Sequence, residues 1–133
     1  MNPLYPFVAR RAEGRCEYCR ASEEAFNFAF EVEHIIPTAR GGSDAMDNLA
    51  LACNACNSYK GVFEVGYDAE TQTEVALFHP RRDNWAEHFQ FQFDSGEIGG
   101  LTPTGRATVN RLQINSQRQV SVRLLWVQLD LYP

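Results

Sequence analysis

The sequence lacks any long hydrophobic run. No apolar stretch approaches the roughly 18–20 residues that a membrane-spanning helix needs, and the most apolar segment, residues 120–131, is interrupted by Arg123, Gln128 and Asp130. The amino terminus has no basic flank, apolar core or small-residue cleavage site, so nothing indicates export. We therefore expect a cytoplasmic protein with no membrane partner.

An excess of positive charge is also missing, since the formal net charge is −5. The molecule as a whole should attract phosphate only weakly. The basic residues are unevenly spread, however, and all but one are arginines, whose guanidinium groups suit bidentate phosphate contacts as well as surface ion pairs. The candidates for nucleic-acid contacts are Arg40, Lys60, Arg81 and Arg82.

Internal repeats, heptad arrays and low-complexity segments are absent. The 133 residues are enough for one compact domain and too few for two comfortable ones. We expect one folding unit with a core over residues 1–65 and an accessory extension over residues 66–133 packed on it. The extension shows no chemistry of its own and no helix-turn-helix module, so the sequence predicts neither base preference nor oligomeric state.

Cysteine occurs only as two Cys-x-x-Cys pairs, Cys16/Cys19 and Cys53/Cys56. Four thiolates in two such pairs are typical of a tetrahedral zinc site that leaves no open position for water, which makes the metal structural. Disulfides and a redox pair are alternatives. Disulfides would need an exported protein, and redox chemistry would need only one pair. The sequence therefore predicts structural Zn²⁺.

The pattern of the core predicts strands and helices in an α+β arrangement. Residues 4–13 can form a short helix, and residues 26–33 alternate large apolar with small or polar side chains, as a strand does. Residues 49–52 look like a second strand, and residues 54–60 like a helix that Gly61 ends.

The extension is predicted to contain a β-hairpin followed by two helices. Residues 89–93 alternate cleanly and precede Asp94-Ser95-Gly96 and Ile98, which favours a hairpin. Thr104 can cap a helix that runs to about residue 114, and residues 117–129 are typical of a last helix.

The polar residues between the cysteine pairs suit phosphodiester chemistry. His34 lies at the end of the first predicted strand, where a neutral imidazole can act as a general base. Glu33 and Asn57 offer a carboxylate and an amide oxygen, which suit a hard divalent ion such as Mg²⁺ or Mn²⁺. Such an ion can neutralise the negative charge that grows on a phosphate in the transition state.

These residues, in this order, resemble the zinc-stapled branch of the HNH endonucleases. The matching segments are Cys16-x-x-Cys19, Glu33-His34-Ile35-Ile36-Pro37, Gly41-Gly42, Asn48-Leu49 and Cys53-Asn54-Ala55-Cys56-Asn57-x-x-Lys60-Gly61. The resemblance covers residues 7–61. It implies a ββα-metal fold, in which two antiparallel strands and a helix surround a divalent ion, and an enzyme that cuts DNA.

By this resemblance, His34 is the general base, and Glu33 and Asn57 bind the catalytic ion. Asn48 is implied to fix the loop and to orient the His34 ring through a backbone contact. Lys60 is implied to contact phosphate or to stabilise the transition state. The family often has aspartate where this chain has Glu33 and histidine where it has Asn57.

The implied substrate is duplex, nicked or branched DNA, and the products would carry 5′-phosphate and 3′-hydroxyl ends. The acidic balance suggests weak binding by the chain unaided, so a protein partner could supply specificity. The alternative is a catalytically silent zinc-stapled module that has kept the fold and binds nucleic acid or a protein.

Overall fold

The structure is a computed structural model that describes residues 1–133, and its architecture is α+β as predicted. Five α-helices accompany three separate two-stranded antiparallel sheets. None of the helices combines the length and the apolar character that crossing a membrane requires. The elements are α1 (Tyr5–Arg11), β1 (Glu31–His34), β2 (Leu49–Ala52), α2 (Asn54–Lys60), β3 (Val65–Asp68), β4 (Thr73–Ala76), α3 (Trp85–His88), β5 (Phe89–Phe91), β6 (Ile98–Gly100), α4 (Pro103–Arg111) and α5 (Gln117–Gln128).

The core of the amino-terminal half is a ββα unit made of β1, β2 and α2. The two strands pair so that Glu33 lies opposite Ala50 and His34 lies opposite Leu49. Every residue of β2 is fully buried, because α1 and α2 both pack on this hairpin. Gly61 ends α2 with a positive φ of 52°, a backbone conformation that favours glycine. The second predicted strand, the helix and its stop at Gly61 are present as predicted.

The predicted strand over residues 26–33 was wrong in its first half, since β1 begins only at Glu31. Phe26 instead packs edge to face on Phe30 and on Trp126 of α5, with ring centroids 4.9 and 5.6 Å apart. The amide of Phe30 donates to Glu23 rather than to a neighbouring strand. The large apolar residues of this segment therefore build an aromatic cluster, which imitates the alternation of a strand.

The extension contains the predicted hairpin, β5–β6, and a second one, β3–β4, against which α4 packs. Arg106 of α4 donates two hydrogen bonds to Asp68 at the end of β3, at 2.9 and 3.2 Å. Hydrogen bonds from Arg106 and from Thr71 hold the pKa of Asp68 below its ordinary value. This ion pair fastens α4 to the end of the hairpin.

The cap and the end of α4 differ from the prediction. Thr102, not Thr104, caps the helix by accepting a hydrogen bond from the amide of Gly105, and Pro103 occupies the first turn, where its missing N–H costs nothing. The helix ends at Arg111 rather than near residue 114, because Leu112 and Ile114 turn into the apolar core.

The extension contacts the first cysteine pair directly. The indole of Trp85 donates to the carbonyl of Tyr18 at 2.8 Å, and the hydroxyl of Tyr132 donates to the carbonyl of Cys19 at 2.9 Å. Phe78 also packs edge to face on Tyr18. One apolar cluster includes side chains from both halves. These contacts support our proposal that residues 1–65 and 66–133 fold as one unit.

Candidate metal centre and nuclease site

The four cysteine sulfurs converge in the interior. All of them lie within 4.8 Å of one another, and no disulfide links any pair. Tetrahedral zinc with Zn–S bonds of about 2.3 Å requires sulfur–sulfur separations of about 3.8 Å. The Cys19 and Cys53 sulfurs are 3.7 Å apart. The geometry and the all-thiolate donor set therefore fit structural zinc, as predicted.

The cysteine cluster joins the turn that precedes β1 to the first turn of α2, the two elements that carry the candidate catalytic residues. Cys16 and Cys19 lie in a tight turn before β1, in which the amide of Arg20 donates to the carbonyl of Cys16. Cys53 is the N-cap residue of α2, and Cys56 lies in the first turn of that helix. Zinc bound here would fix the start of α2 against the turn that leads toward β1.

His34 ends β1 with its ring at the edge of the core. Its Nε2 atom lies 2.7 Å from Oδ1 of Asp44, and the two side chains are 24% and 84% exposed. Its Nδ1 atom makes no hydrogen bond within the chain, whereas Nε2 is held. The sequence did not predict Asp44, because an acid ten residues away in a loop has no characteristic spacing.

Asn48 closes the loop between β1 and β2. Its side-chain oxygen accepts from the amide of Ile36 at 2.8 Å, and its amide donates to the carbonyls of Ile36 and Ser43 at 3.0 and 2.8 Å. The carbonyl of Asn48 also accepts from the amide of Ile35. Asn48 therefore holds the loop, while the contact to the His34 ring comes from Asp44.

Glu33 is almost completely buried, at 4% exposure. Its Oε2 atom accepts a hydrogen bond from the hydroxyl of Tyr18 at 2.7 Å, a second partner that the sequence did not predict. Its Oε1 atom lies 2.6 Å from the Nζ atom of Lys60, yet forms no hydrogen bond of normal geometry. Burial raises the pKa of Glu33, although Lys60 and Tyr18 both act in the opposite direction.

The ammonium group of Lys60 makes all its contacts inside the protein. Its ammonium group donates to the carbonyl of Ile35 at 2.8 Å and to that of His34 at 3.3 Å, besides its contact with Glu33. The side chain is fully buried. Lys60 therefore links α2 to the end of β1 and does not present its charge to solvent.

Asn57 lies on α2, three residues before Lys60, and so on the same face of the helix. Its side-chain amide makes no hydrogen bond within the chain. The amide oxygen of Asn57 is therefore without a partner, whereas Oε1 of Glu33 lies against the Lys60 ammonium. Carboxylate and amide oxygens suit a hard divalent ion such as Mg²⁺, but an ion bound by Oε1 would have to displace that ammonium.

The four basic candidates for nucleic-acid contacts divide into two groups. Arg81 forms an ion pair with buried Glu17, and burial together with the nearby Arg11 lowers the pKa of Arg81 to about 10. Arg81 therefore joins Lys60 as a residue engaged by an internal carboxylate.

Arg40 and Arg82 keep part of their surface available. Arg40 is exposed and donates from Nε to the carbonyl of Val62 at 2.6 Å. Arg82 is exposed, has no ion-pair partner, and lines a cleft of about 280 Å³ with Lys60 and His79. Burial and the charge of Arg82 lower the pKa of His79, which favours its neutral form.

The comparison with protein families identifies the segment that contains this site. Residues 16–65 match the family model described as HNH endonuclease. They include both cysteine pairs, β1, β2 and α2. Comparisons with curated proteins and with solved structures give no significant match. Residues 16–65 are therefore similar to an HNH endonuclease domain, and this similarity suggests a nuclease-type function.

Proposed function

We propose that the protein is a metal-dependent endonuclease that hydrolyses DNA phosphodiester bonds. The observation that carries this proposal is the placement of His34 on the ββα unit, with Nε2 held by Asp44 and Nδ1 without a protein partner. An imidazole in that position can accept a proton from a water molecule through Nδ1.

The proposed step is hydrolysis by direct attack of water. Nδ1 of His34 takes a proton from a water molecule, whose oxygen bonds to phosphorus as the bond from phosphorus to the 3′ oxygen breaks. The departing 3′ oxygen takes a proton from solvent, which leaves 5′-phosphate and 3′-hydroxyl ends. A divalent ion held by Glu33 and Asn57 would supply neutralisation of the charge that develops on the phosphate.

DNA binding is proposed to use Arg40 and Arg82, whose guanidinium groups reach solvent. Two such contacts on a chain of net charge −5 give weak attraction to DNA. A protein partner that supplies specificity is therefore part of the proposal. The buried thiolates need a reducing compartment, which supports a cytoplasmic location.

One observation favours the alternative, a silent module that binds nucleic acid or a protein. The carboxylate of Glu33 is already neutralised by Lys60 and hydrogen-bonded to Tyr18. A fold that had ceased to bind a catalytic ion would keep such a pair for stability alone. Measuring whether a divalent ion binds, and through which residues, separates the two functions.

Replacing Asn57 with alanine tests the catalytic metal site. We expect the zinc-loaded parent protein to nick supercoiled plasmid with Mg²⁺ or Mn²⁺. It should not nick plasmid when a chelator removes these ions but leaves the zinc bound. Asn57→Ala should weaken Mn²⁺ binding, followed by electron paramagnetic resonance, by about tenfold or more, since one of two protein oxygens is removed.

Asn54→Ala is the matched control, because Asn54 lies exposed at the start of the same helix. It should bind Mn²⁺ and cut plasmid as the parent does. Parent protein that binds DNA but cuts none under either ion would establish the silent module. Equal Mn²⁺ affinity in Asn57→Ala and the parent would remove Asn57 from the site.

A further inference from the structure

The contact between Asp44 and His34 has a feature that stability does not explain. Asp44 is 84% exposed, and its carboxylate makes no hydrogen bond except the one at 2.7 Å to Nε2 of His34. Ion pairs and hydrogen bonds at such exposed sites contribute little to folding. The contact does, however, fix the orientation of a ring that has no other side-chain hydrogen bond.

The loop holds the backbone beside Asp44 in place. The amide of Gly42 donates to the carbonyl of Pro37 at 3.0 Å, and a Cβ atom at Gly42 would overlap the carbonyl of Ile36. The carbonyl of Ser43, directly before Asp44, accepts from the side-chain amide of Asn48. Buried Asn48 thus fixes the segment that carries the carboxylate, so the position of Asp44 does not depend on its own exposed side chain.

The chemistry of the pair determines which ring nitrogen carries the proton. An ionised carboxylate only accepts hydrogen bonds, so a neutral imidazole beside Asp44 must carry its proton on Nε2. The lone pair is then on Nδ1, the nitrogen that has no partner within the chain. When Nδ1 gains a proton from water, the same carboxylate also stabilises the imidazolium that forms, without itself becoming protonated.

We propose that Asp44 is a positioning residue that holds His34 in the Nε2–H tautomer and leaves Nδ1 as the basic nitrogen. The catalytic consequence rests on the proposed nuclease function. The tautomer itself does not, because it is a property of the protein without DNA. Asn48 acts one step further away, through the loop that carries Asp44.

The first test reads the tautomer directly by long-range ¹H–¹⁵N spectra of the imidazole rings, at about pH 8.5, above the ordinary pKa of histidine. The sequence contains three histidines, and His34→Gln assigns the signals of His34. We expect the parent to carry the proton on Nε2 and Asp44→Asn to change the His34 signals. Asp47→Asn should leave them unchanged, because Asp47 is an exposed acid of the same loop with no side-chain partner.

The second test separates orientation from binding. Asp44→Asn should lower kcat by about 10- to 100-fold with KM for DNA unchanged, Asp44→Glu should recover part of the loss, and Asp47→Asn should behave as the parent. An Nδ1-protonated ring in the parent, unchanged His34 signals in Asp44→Asn, or parental kcat in that variant would overturn the proposal. If the parent cuts no DNA although His34 has the expected tautomer, the nuclease function fails and the assignment of the ring stands.

Discussion

Replacing His34 with alanine is expected to lower the rate of DNA hydrolysis by about 10²- to 10⁴-fold, the usual contribution of a general base. The side chain is the group proposed to accept the proton of the attacking water. DNA binding should change little, because the variant retains Arg40 and Arg82, the proposed DNA contacts. The measurement is single-turnover cleavage of plasmid with saturating Mg²⁺, together with the affinity of each variant for the same DNA.

The fold should survive this substitution. The ring of His34 is partly exposed, and the carbonyl of His34, to which Lys60 donates, is retained in the variant. His88→Ala is the control, since His88 lies on α3 and its Nδ1 contacts Thr102 rather than a residue of the proposed site. It should cut within a small factor of the parent at equal folded fraction. Parental cleavage by His34→Ala would show that the base is another group.

Replacing Cys53 with serine is expected to remove zinc and lower the thermal stability together. Cys53 is buried, caps α2, and supplies one of four converging sulfurs. Structural zinc sites contribute on the order of 10 kcal/mol to the folding of small domains, so losing one ligand should cost several kcal/mol of unfolding free energy. The loss should also displace α2 and, with it, Asn57 and Lys60.

Zinc content by mass spectrometry and the midpoint of thermal unfolding test this expectation in parallel. Ser58→Ala is the matched control, because Ser58 is an exposed residue of the same helix. It should retain zinc and the parental midpoint. A variant at Cys53 that loses stoichiometric zinc but keeps full stability would refute the structural role of the metal.

The zinc site and the ββα unit could be predicted because their signals are local. Two Cys-x-x-Cys spacings specify a tetrahedral clamp, and a histidine next to an acid at a strand end is recognisable along the chain. The helix from Asn54 to Lys60 is flanked directly by its cap, Cys53, and by the glycine that ends it, Gly61. Such features depend on spacing, so they need no knowledge of the tertiary structure.

The partners of these residues could not be predicted, because they meet only through tertiary packing. Tyr18 comes from the first cysteine turn and Lys60 from α2, and both reach Glu33 on β1. Asp44 reaches His34 across a loop. Arg81 reads as a surface arginine in sequence, yet it forms an ion pair with Glu17, 64 residues away.

The prediction of β1 failed for a related reason. Residues 26–30 have the alternation of a strand, but Phe26 packs on Phe30 and on Trp126, which comes from the opposite end of the chain. Hydrophobic periodicity indicates that one face of a segment is buried, but it does not indicate which element packs on that face. The limits of β1 were therefore set by its partner, the four residues of β2.

Cleavage of DNA in ¹⁸O-enriched water tests the central claim most directly. If water activated by His34 attacks phosphorus and the 3′ oxygen leaves, each nick made by the zinc-loaded parent with Mg²⁺ must carry one ¹⁸O atom in its 5′-phosphate and an unlabelled 3′-hydroxyl. Mass spectrometry of the released ends measures both. A 3′-phosphate, an unlabelled 5′-phosphate, or no cleavage with any divalent ion would contradict the account.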